Sequence, residues 1–311
     1  MKADIMTAGP EAYARASSLL QAGKLVALPT ETVYGLAGDA RSDAAIAAIY
    51  AAKGRPSTNP LITHLSNGNQ AGDFAHVNDL AGDLINRFWP GALTLVLPKR
   101  TPSYLADRAT AGLNTIALRY PDVDWMNPIS GIRSAPLVMP SANLSGHVSP
   151  TTAQHVMNDL GDRIELIIDG GPCRQGLEST VLAIDGDNGT LLREGALPRA
   201  QIEAISGPLL TADPDGPTAS PGMLARHYAP QARLRLNAEQ AQDGETLIGF
   251  GPNYGEPSLS RSGDLSEAAR NLYRLLRDLD GPDQKLAVAP IPDTGLGAAI
   301  NDRLRRAALG R

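Results

Sequence analysis

Short apolar runs and amphipathic stretches follow one another over the first two thirds of the chain. Residues 11–21 carry apolar side chains at helical spacing and stop before Gly23, and a second helical stretch is capped by Ser42 and ends at Gly54. Short apolar runs bounded by turn residues predict strands. The predicted strands cover residues 25–28, 93–97, 115–119, 137–139, 165–168, 181–184 and 191–193. Since short turns separate some of these strands and no regular βαβ repeat is visible, we expect a partly antiparallel sheet.

A stretch rich in glycine and proline divides the chain at residues 207–222. Neither a helix nor a central strand can run through it, so it is predicted to be an extended linker. We expect a first domain over residues 1–206, a linker over 207–231 and a small second domain over 232–311.

The second domain has a simpler pattern than the first. Asp264, with Glu267 three residues later, begins a helix whose leucines share one face, and residues 296–308 form a closing helix. Apolar runs at 247–250 and 286–290 predict strands. This part of the chain is predicted to be a small α/β sandwich.

The composition of the chain argues against several classes of protein. A net charge of −5, from 28 Lys and Arg against 33 Asp and Glu, and an aromatic content of 4% argue against a large nucleic-acid surface. The single cysteine, Cys173, excludes an internal disulfide and a multi-thiolate metal site. Apolar runs fall far short of the ~20 residues that span a bilayer. No basic-then-apolar signal opens the chain, so we expect a cytoplasmic protein without a membrane partner.

Familiar nucleotide-binding signatures are missing from the sequence. There is no P-loop. Gly249 and Gly251 are followed by Pro252 and by Tyr254 at the place of a third glycine, so the dinucleotide-binding fingerprint fails on spacing. The chemistry must come from other residues.

Thr30, Glu31, Thr32 and Tyr34 crowd polar side chains into the loop directly after the strand 25–28. Loops at strand ends both cap and bind. A capped turn from this strand into a helix and a ligand-binding loop are equally compatible with the segment.

Four basic residues stand at the ends of predicted elements. Lys53 ends a helix, Arg55 follows it on a loop stiffened by Pro56, and Arg119 and Arg193 each end a strand. The helix dipole alone accounts for Lys53. Within an acidic domain, however, the four cations favour a shared anion pocket, where arginine supplies a planar fork and lysine a mobile charge. We do not expect either Lys53 or Arg55 in the core.

Small polar side chains occupy two further strand ends. Ser141 and Asn143 follow the strand 137–139, where they can cradle a phosphate or a ribose or form a plain polar turn. Ser179 and Thr180 enter the strand 181–184 and are candidates for substrate hydrogen bonds.

Two single residues carry less weight. Cys173 has no base near it in sequence and is interpreted as a spectator. His64, taken alone, is more typical of a hydrogen-bonded core histidine than of a ligand-binding one.

Together these segments resemble the threonylcarbamoyl-AMP synthases of the YrdC-like superfamily. The resemblance rests on the segments 28–36, 53–56 with 59–61, 88–91, 140–143 and 178–181, which occur in the order typical of that family. The segments 220–223 and 226–230 resemble the linker of its long, two-domain form.

The resemblance implies a fold and a reaction. The fold is a YrdC-like twisted, mixed α/β sheet around a concave cavity, followed by a small Rossmann-like C-terminal domain that does not bind a dinucleotide. The reaction converts L-threonine, bicarbonate and ATP into threonylcarbamoyl-AMP and pyrophosphate. The product serves threonylcarbamoyladenosine formation in tRNA, so downstream threonylcarbamoyl transferase machinery is an expected partner. Mg²⁺ is expected to be held mainly by phosphates and water.

The resemblance also implies residue roles. Lys53 and Arg55 are expected to be catalytic. The expected ATP contacts are Arg55, Asn59, Thr115, Ser141, Asn143, Ser149, Arg193 and Tyr228. The expected threonine contacts are Thr32, His64, Arg119 and Ser179. No protein cage for a metal is expected.

The linker is expected to act as an active-site lid. Met223, Arg226, His227 and Tyr228 lie between two proline-containing stretches, which limit the freedom of the open loop. The alternative is that Met223 and Tyr228 only anchor the second domain to the first.

Two other functions stay open at this point. YrdC-like domains are also associated with double-stranded RNA, although the acidic composition argues against an RNA-binding module. The same cavity could also serve a different carbamoyl or adenylyl transferase.

Overall fold

The computed structural model describes residues 2–131, 135–212 and 228–310. The strands within these ranges are β1 Asp4–Thr7, β2 Val26–Leu28, β3 Gly35–Asp39, β4 Ile62–His64, β5 Leu93–Pro98, β6 Thr115–Arg119, β7 Leu137–Val138, β8 Leu166–Asp169, β9 Thr180–Asp185, β10 Asn188–Arg193, β11 Leu210–Thr211, β12 Arg233–Arg235, β13 Glu245–Ile248 and β14 Lys285–Val288. The α-helices are α1 Pro10–Gln21, α2 Asp43–Lys53, α3 Ala71–Phe74, α4 Asp79–Phe88, α5 Ala153–Leu160, α6 Arg199–Ser206, α7 Leu265–Asp278 and α8 Leu296–Ala308.

The first eleven strands form one mixed sheet, in the order β1-β8-β2-β3-β7-β4-β6-β5-β9-β10-β11. β1, β8 and β2 are parallel neighbours, whereas β2 and β3, β5 and β6, and β9 and β10 pair in antiparallel fashion. The predicted mixed sheet is therefore confirmed. β4 lies parallel to β6 with His64 opposite Arg119, so two predicted site residues are direct cross-strand partners.

The segment after β2 does not lead into a helix, and that interpretation of residues 29–35 was wrong. The chain turns back into β3, which pairs with β2 in antiparallel fashion. β3 reads Gly-Leu-Ala-Gly-Asp, a composition with little strand preference. Packing explains the small residues, because a Cβ at Gly38 would lie 3.0 Å from Ile49 Cδ1 on α2. Helix α2 therefore packs directly on this strand.

Helix α2 itself forms as its sequence predicts. Ser42 accepts a hydrogen bond from the backbone N–H of Ala45, and Gly54 ends the helix in the left-handed conformation. Ile46 and Ile49 are fully buried. Lys53 is the last residue of this helix and Arg55 follows the Gly54 cap. The helix and its cap therefore fix the backbone positions of Lys53 and Arg55.

The second domain contains a three-stranded parallel sheet in the order β12-β14-β13, with α7 after β13 and α8 after β14. Both helices occur where the sequence predicts them, and Asp264 caps α7 by accepting from the N–H of Glu267. The apolar cluster of this domain also includes Val33, Val148 and Leu177. The apolar cluster of the second domain thus extends onto loops of the first domain.

The predicted domain limits stay a prediction. Within the expected linker, Leu210–Thr211 pairs with β10 as an edge strand, and residues 213–227 lie outside the described part of the chain. In the part that is described, no helix is both long and apolar enough to cross a membrane.

An ion pair fastens α7 to the first domain. Both terminal nitrogens of Arg277 donate to the Asp159 carboxylate, at 3.2 and 2.9 Å, and Arg277 also donates to Val148 O. The two side chains are only 13% and 9% exposed. Burial alone would raise the pKa of Asp159, but the hydrogen bonds from His147 and Arg277 lower it to about 2.

Arg277→Met should therefore lower the free energy of unfolding by about 3 kcal/mol, because it leaves a largely buried carboxylate without its main partner. Urea unfolding measures this loss. The matched control is Arg274→Met on the same helix, whose ion pair with Asp278 is about half exposed on both sides. The control should cost less than ~0.5 kcal/mol. Equal losses in the two variants would show that Arg277 does not fasten the domains.

Candidate active site

A cavity lies between the large sheet and Tyr228, and its empty space, counted together with its open mouth, is about 520 Å³. Its lining combines cations, hydroxyls, an imidazole, a carboxylate and apolar groups. The lining residues are Thr32, Val33, Arg55, Ile62, His64, Arg119, Met139, Pro140, Ser141, Glu178, Ser179, Arg193 and Tyr228.

Three of the four cations that the sequence singled out meet at this cavity. Arg55 comes from the loop after α2, Arg119 from the end of β6 and Arg193 from the end of β10. All three are at most 9% exposed. Because a guanidinium stays protonated even when buried, three fixed positive charges meet at the cavity.

Lys53, the fourth cation, does not line the cavity. It is 2% exposed, and Nζ donates hydrogen bonds to Ser141 O at 2.6 Å and to Asn143 O. Burial, and then the neighbouring Arg55, lower the pKa of this amine well below its usual value. The expectation that Lys53 and Arg55 lie outside the core was wrong, because backbone carbonyls replace the water that these cations lose.

Arg55 is held by its own loop. Its Nη2 donates to Pro60 O at 3.1 Å and its Nε to Asn59 O at 3.4 Å. Burial lowers the pKa of Arg55 to about 10, so the group remains a cation at neutral pH. The prolines that stiffen this loop therefore place a fixed charge at the cavity wall.

All four residues predicted to contact threonine line the cavity: Thr32, His64, Arg119 and Ser179. The Thr32 hydroxyl lies 2.8 Å from Thr30 Oγ1, and Ser179 Oγ lies 2.7 Å from Thr94 Oγ1. These neighbours fix the positions of both hydroxyls. The structure thus brings the four residues together.

His64 is neutral at working pH. Burial, and then the charge of Arg119, lower its pKa to about 3. Its Nδ1 lies 3.2 Å from Ile62 O, an acceptor, so Nδ1 carries the proton and Nε2 is left as an acceptor. The ring thus offers an acceptor to a ligand.

The predicted ATP contacts divide into two groups. Arg55, Ser141, Arg193 and Tyr228 line the cavity, whereas Asn59, Asn143 and Ser149 are buried but do not line it. The side-chain oxygens of Asn59 and Asn143 are buried without a hydrogen-bond partner among the described residues. Thr115 starts β6, four residues before Arg119, and does not line the cavity. The roles of these residues stay predictions.

Two buried carboxylates were not predicted as site residues. Glu31 Oε1 accepts a hydrogen bond from Arg119 at 2.6 Å, and Glu178 lines the cavity beside Ser179. Both belong to segments that the resemblance had already marked, at 28–36 and 178–181. That position within a matching segment was the signal that could have found them.

Tyr228 is the described part of the predicted lid that reaches the cavity. It is 1% exposed and has a φ of 62°, and its ring stacks on Tyr273 of α7 at a centroid distance of 5.8 Å. Met223, Arg226 and His227 lie outside the described residues. The lid stays a prediction.

The described residues offer neither a reactive thiol nor a metal cage. Cys173 is buried, and burial raises the pKa of its thiol, so the thiolate is not formed. Among these residues, no group of three or more His, Cys, Asp or Glu side chains could hold a metal ion. The arginines and hydroxyls that line the cavity are suited to neutralise and orient anions.

Comparisons with known proteins agree with this geometry. A family model described as "Telomere recombination" matches residues 18–195, and one described as "Threonylcarbamoyl-AMP synthase, C-terminal domain" matches residues 197–309. A threonylcarbamoyl-AMP synthase of Bacillus subtilis is 41% identical over 334 residues, covering 99% of this chain and 96% of that protein. One from Pyrococcus abyssi is 40% identical over 320 residues, covering 94% and 93%.

A solved structure extends the likeness to three dimensions. The crystal structure of a Pyrococcus abyssi relative complexed with L-threonine superposes with a TM-score of 0.87 at 36% identity, covering 98% of this chain and 96% of that one. Matching models over both parts of the chain, together with relatives that align over almost their full length, show that the chain belongs to the threonylcarbamoyl-AMP synthase family in its two-domain form.

Proposed function

We propose that the cavity is where L-threonine, bicarbonate and ATP are converted into threonylcarbamoyl-AMP and pyrophosphate. The observation that carries this proposal is the convergence of Arg55, Arg119 and Arg193 on one cavity. Each substrate brings negative charge, as a carboxylate, a carbonate or a triphosphate. Three fixed guanidinium groups supply the positive charge that brings such anions together and keeps them in position.

Threonine binds at the end of the cavity formed by β4, β6 and β9. Arg119 pairs with its carboxylate through the N–H groups that Glu31 and Gly91 O do not take. His64 Nε2 accepts a hydrogen bond from the threonine hydroxyl, and Thr32 and Ser179 complete the polar pocket. Since these contacts involve the carboxylate and the hydroxyl of threonine, its amine stays available to react with bicarbonate.

The nucleotide binds at the end of the cavity formed by Arg55, Ser141 and Arg193. Arg55 and Arg193 neutralise phosphate oxygens, and Tyr228 contributes its ring. Asn59, Thr115, Asn143 and Ser149 remain additional proposed contacts. Lys53 acts indirectly: by donating to the carbonyls of Ser141 and Asn143, it fixes the loop that presents Ser141.

The reaction needs positioning more than a protein nucleophile. The threonine nitrogen bonds to the carbon of bicarbonate, and water leaves to give a carbamate. A carbamate oxygen then attacks the α-phosphorus in line, and the bond to the pyrophosphate oxygen breaks. Arg55 and Arg193 stabilise the charge that develops on the phosphate oxygens, and they are already oriented by protein carbonyls.

Mg²⁺ enters this scheme as part of the substrate, MgATP. Glu178, the carboxylate on the cavity wall, is already bonded to Tyr273 and Arg303 and is not free to hold a metal. The ion would therefore be bound by phosphates and water.

The product is a reactive mixed anhydride, so a transferase that delivers the threonylcarbamoyl group to an adenosine of tRNA must consume it. A cytoplasmic location, together with the tRNA, is part of this proposal. No contact of the described residues favours direct RNA binding over small-molecule chemistry.

Pyrophosphate release, measured with threonine, bicarbonate and ATP each omitted in turn, tests the proposal. We expect release only when all three are present. Release without threonine or bicarbonate would indicate a different carbamoyl or adenylyl transferase. Salt-sensitive binding to double-stranded RNA without any ATP turnover would replace the proposal with an RNA-binding function.

Arg55→Ala should reduce turnover by at least ~10²-fold, because a fixed donor to developing charge is lost. Initial rates of pyrophosphate release at saturating substrates measure this loss. Arg261→Ala serves as the control, since Arg261 is an exposed arginine that does not line the cavity. A wild-type rate in Arg55→Ala would remove Arg55 from the catalytic site.

The choice of amino acid should depend on the threonine hydroxyl. Serine, which lacks only a methyl group, should lose about 10–200-fold in kcat/KM, whereas valine should lose about 10⁴-fold because it leaves His64 Nε2 unpaired. Competition between each amino acid and threonine measures these ratios. Equal use of valine and threonine would refute a pocket that reads the hydroxyl.

A further inference from the structure

The second domain holds a carboxylate of the cavity wall in place. Glu178 lines the cavity directly before Ser179 and is 6% exposed. Its Oε2 accepts hydrogen bonds from Tyr273 OH at 2.8 Å and from Arg303 Nε at 2.9 Å. Tyr273 lies on α7 and Arg303 on α8. Both donors therefore come from the second domain.

This carboxylate is an anion at any working pH. Burial alone would raise the pKa of Glu178, but Arg303 and Arg193 lower it to about 2. A buried charge requires a partner of fixed geometry, since water cannot replace it. Glu178 thus depends on Arg303 for its orientation.

The Arg303 guanidinium also contacts the chain directly after β10, the strand that pairs with β9. Arg303 Nη2 donates to Glu194 O at 2.7 Å, and Glu194 follows Arg193 directly. Val181 and Arg193 pair across β9 and β10, and Arg193 in turn donates to Ser179 O. Arg303 therefore holds the residue before Ser179 and the residue after Arg193.

Arg303 also supports the aromatic side of the cavity. Its guanidinium carbon lies 4.9 Å from the centroid of the Tyr228 ring, which lines the cavity. Tyr228 stacks in turn on Tyr273. Three neighbours of the cavity are thus fixed by one fully buried side chain of α8.

We propose that Arg303 is a positioning residue for adenylate transfer, through Glu178, Glu194 O and Tyr228. It holds Ser179 and Arg193 at the separation that threonine and the α-phosphate require. The second domain is then a working part of the active site. This inference rests on the proposed function, because the separation matters only if both substrates bind in this cavity.

Four variants test the proposal in the full-length chain. Arg303→Met removes the guanidinium, Arg303→Lys keeps the charge but not the fork, and Tyr273→Phe removes one hydroxyl. Leu304→Ala, on the same helix and 3% exposed, is the matched control for loss of packing in the second domain. Thermal melting, kcat and KM for threonine and ATP, and ATP binding without turnover are measured for each, well below the melting temperature.

We expect Arg303→Met to lose about 10–100-fold in kcat/KM, as misplacement of a reacting group typically does. Arg303→Lys should recover part of this loss, and Tyr273→Phe should lose less than Arg303→Met. Leu304→Ala should melt earlier but keep the wild-type kcat and KM. Wild-type kinetics in Arg303→Met and Tyr273→Phe, or an equal kinetic loss in Leu304→Ala, would overturn the proposal.

The double variant Glu178→Gln with Arg303→Met separates position from stability. Removing the unpaired charge should restore the melting temperature relative to Arg303→Met, yet the kinetic loss should remain. Recovery of both would show a purely structural role. If wild-type protein releases no pyrophosphate, the proposed function fails, whereas ATP affinity still reports whether Arg303 orders the cavity.

Discussion

Three buried guanidinium groups cannot share a cavity unless each is anchored by oxygen atoms of fixed position. They repel one another, and each has lost most of its water. The fold supplies the anchors separately: Asn59 O and Pro60 O for Arg55, Glu31 for Arg119, and Ser179 O for Arg193. A guanidinium has five N–H donors, so the anchors of Arg55 and Arg119 leave others for a ligand. The cavity is therefore preorganised before any substrate enters, because backbone carbonyls and Glu31 fix the positions of its arginines.

Local signals were enough to find the elements that deliver these cations. Neighbouring residues in the sequence predict the helix caps at Ser42 and Asp264 and the helix end at Gly54. Short apolar runs predict the ends of β6 and β10. β3 was missed because its glycines and alanine reflect the close approach of α2, which lies on another part of the chain. Burial of Lys53 was missed for the same reason, since its acceptors lie 88 and 90 residues away.

The charge network behind the cavity was beyond prediction from one sequence. Tyr273 and Arg303 are 95 and 125 residues from Glu178, and no spacing pattern links them. The contact between the first and the second domain leaves only an indirect signal in the sequence. A Cβ at Gly176 would lie 2.6 Å from Ala269 O of α7, so this glycine, which reads as an ordinary turn residue, marks the contact with the second domain.

The imidazole on β4 sets a limit on what the protein can contribute to proton transfer. With a pKa held at about 3 by burial and by Arg119, His64 does not change its charge anywhere between mildly acidic and alkaline solution. Carbamate formation requires an uncharged threonine amine, and this histidine is a poor base for removing its proton. The rate of carbamate formation would then rise with pH as the amine of the bound threonine loses its proton. The pH dependence of this step would thus come from the substrate and not from His64.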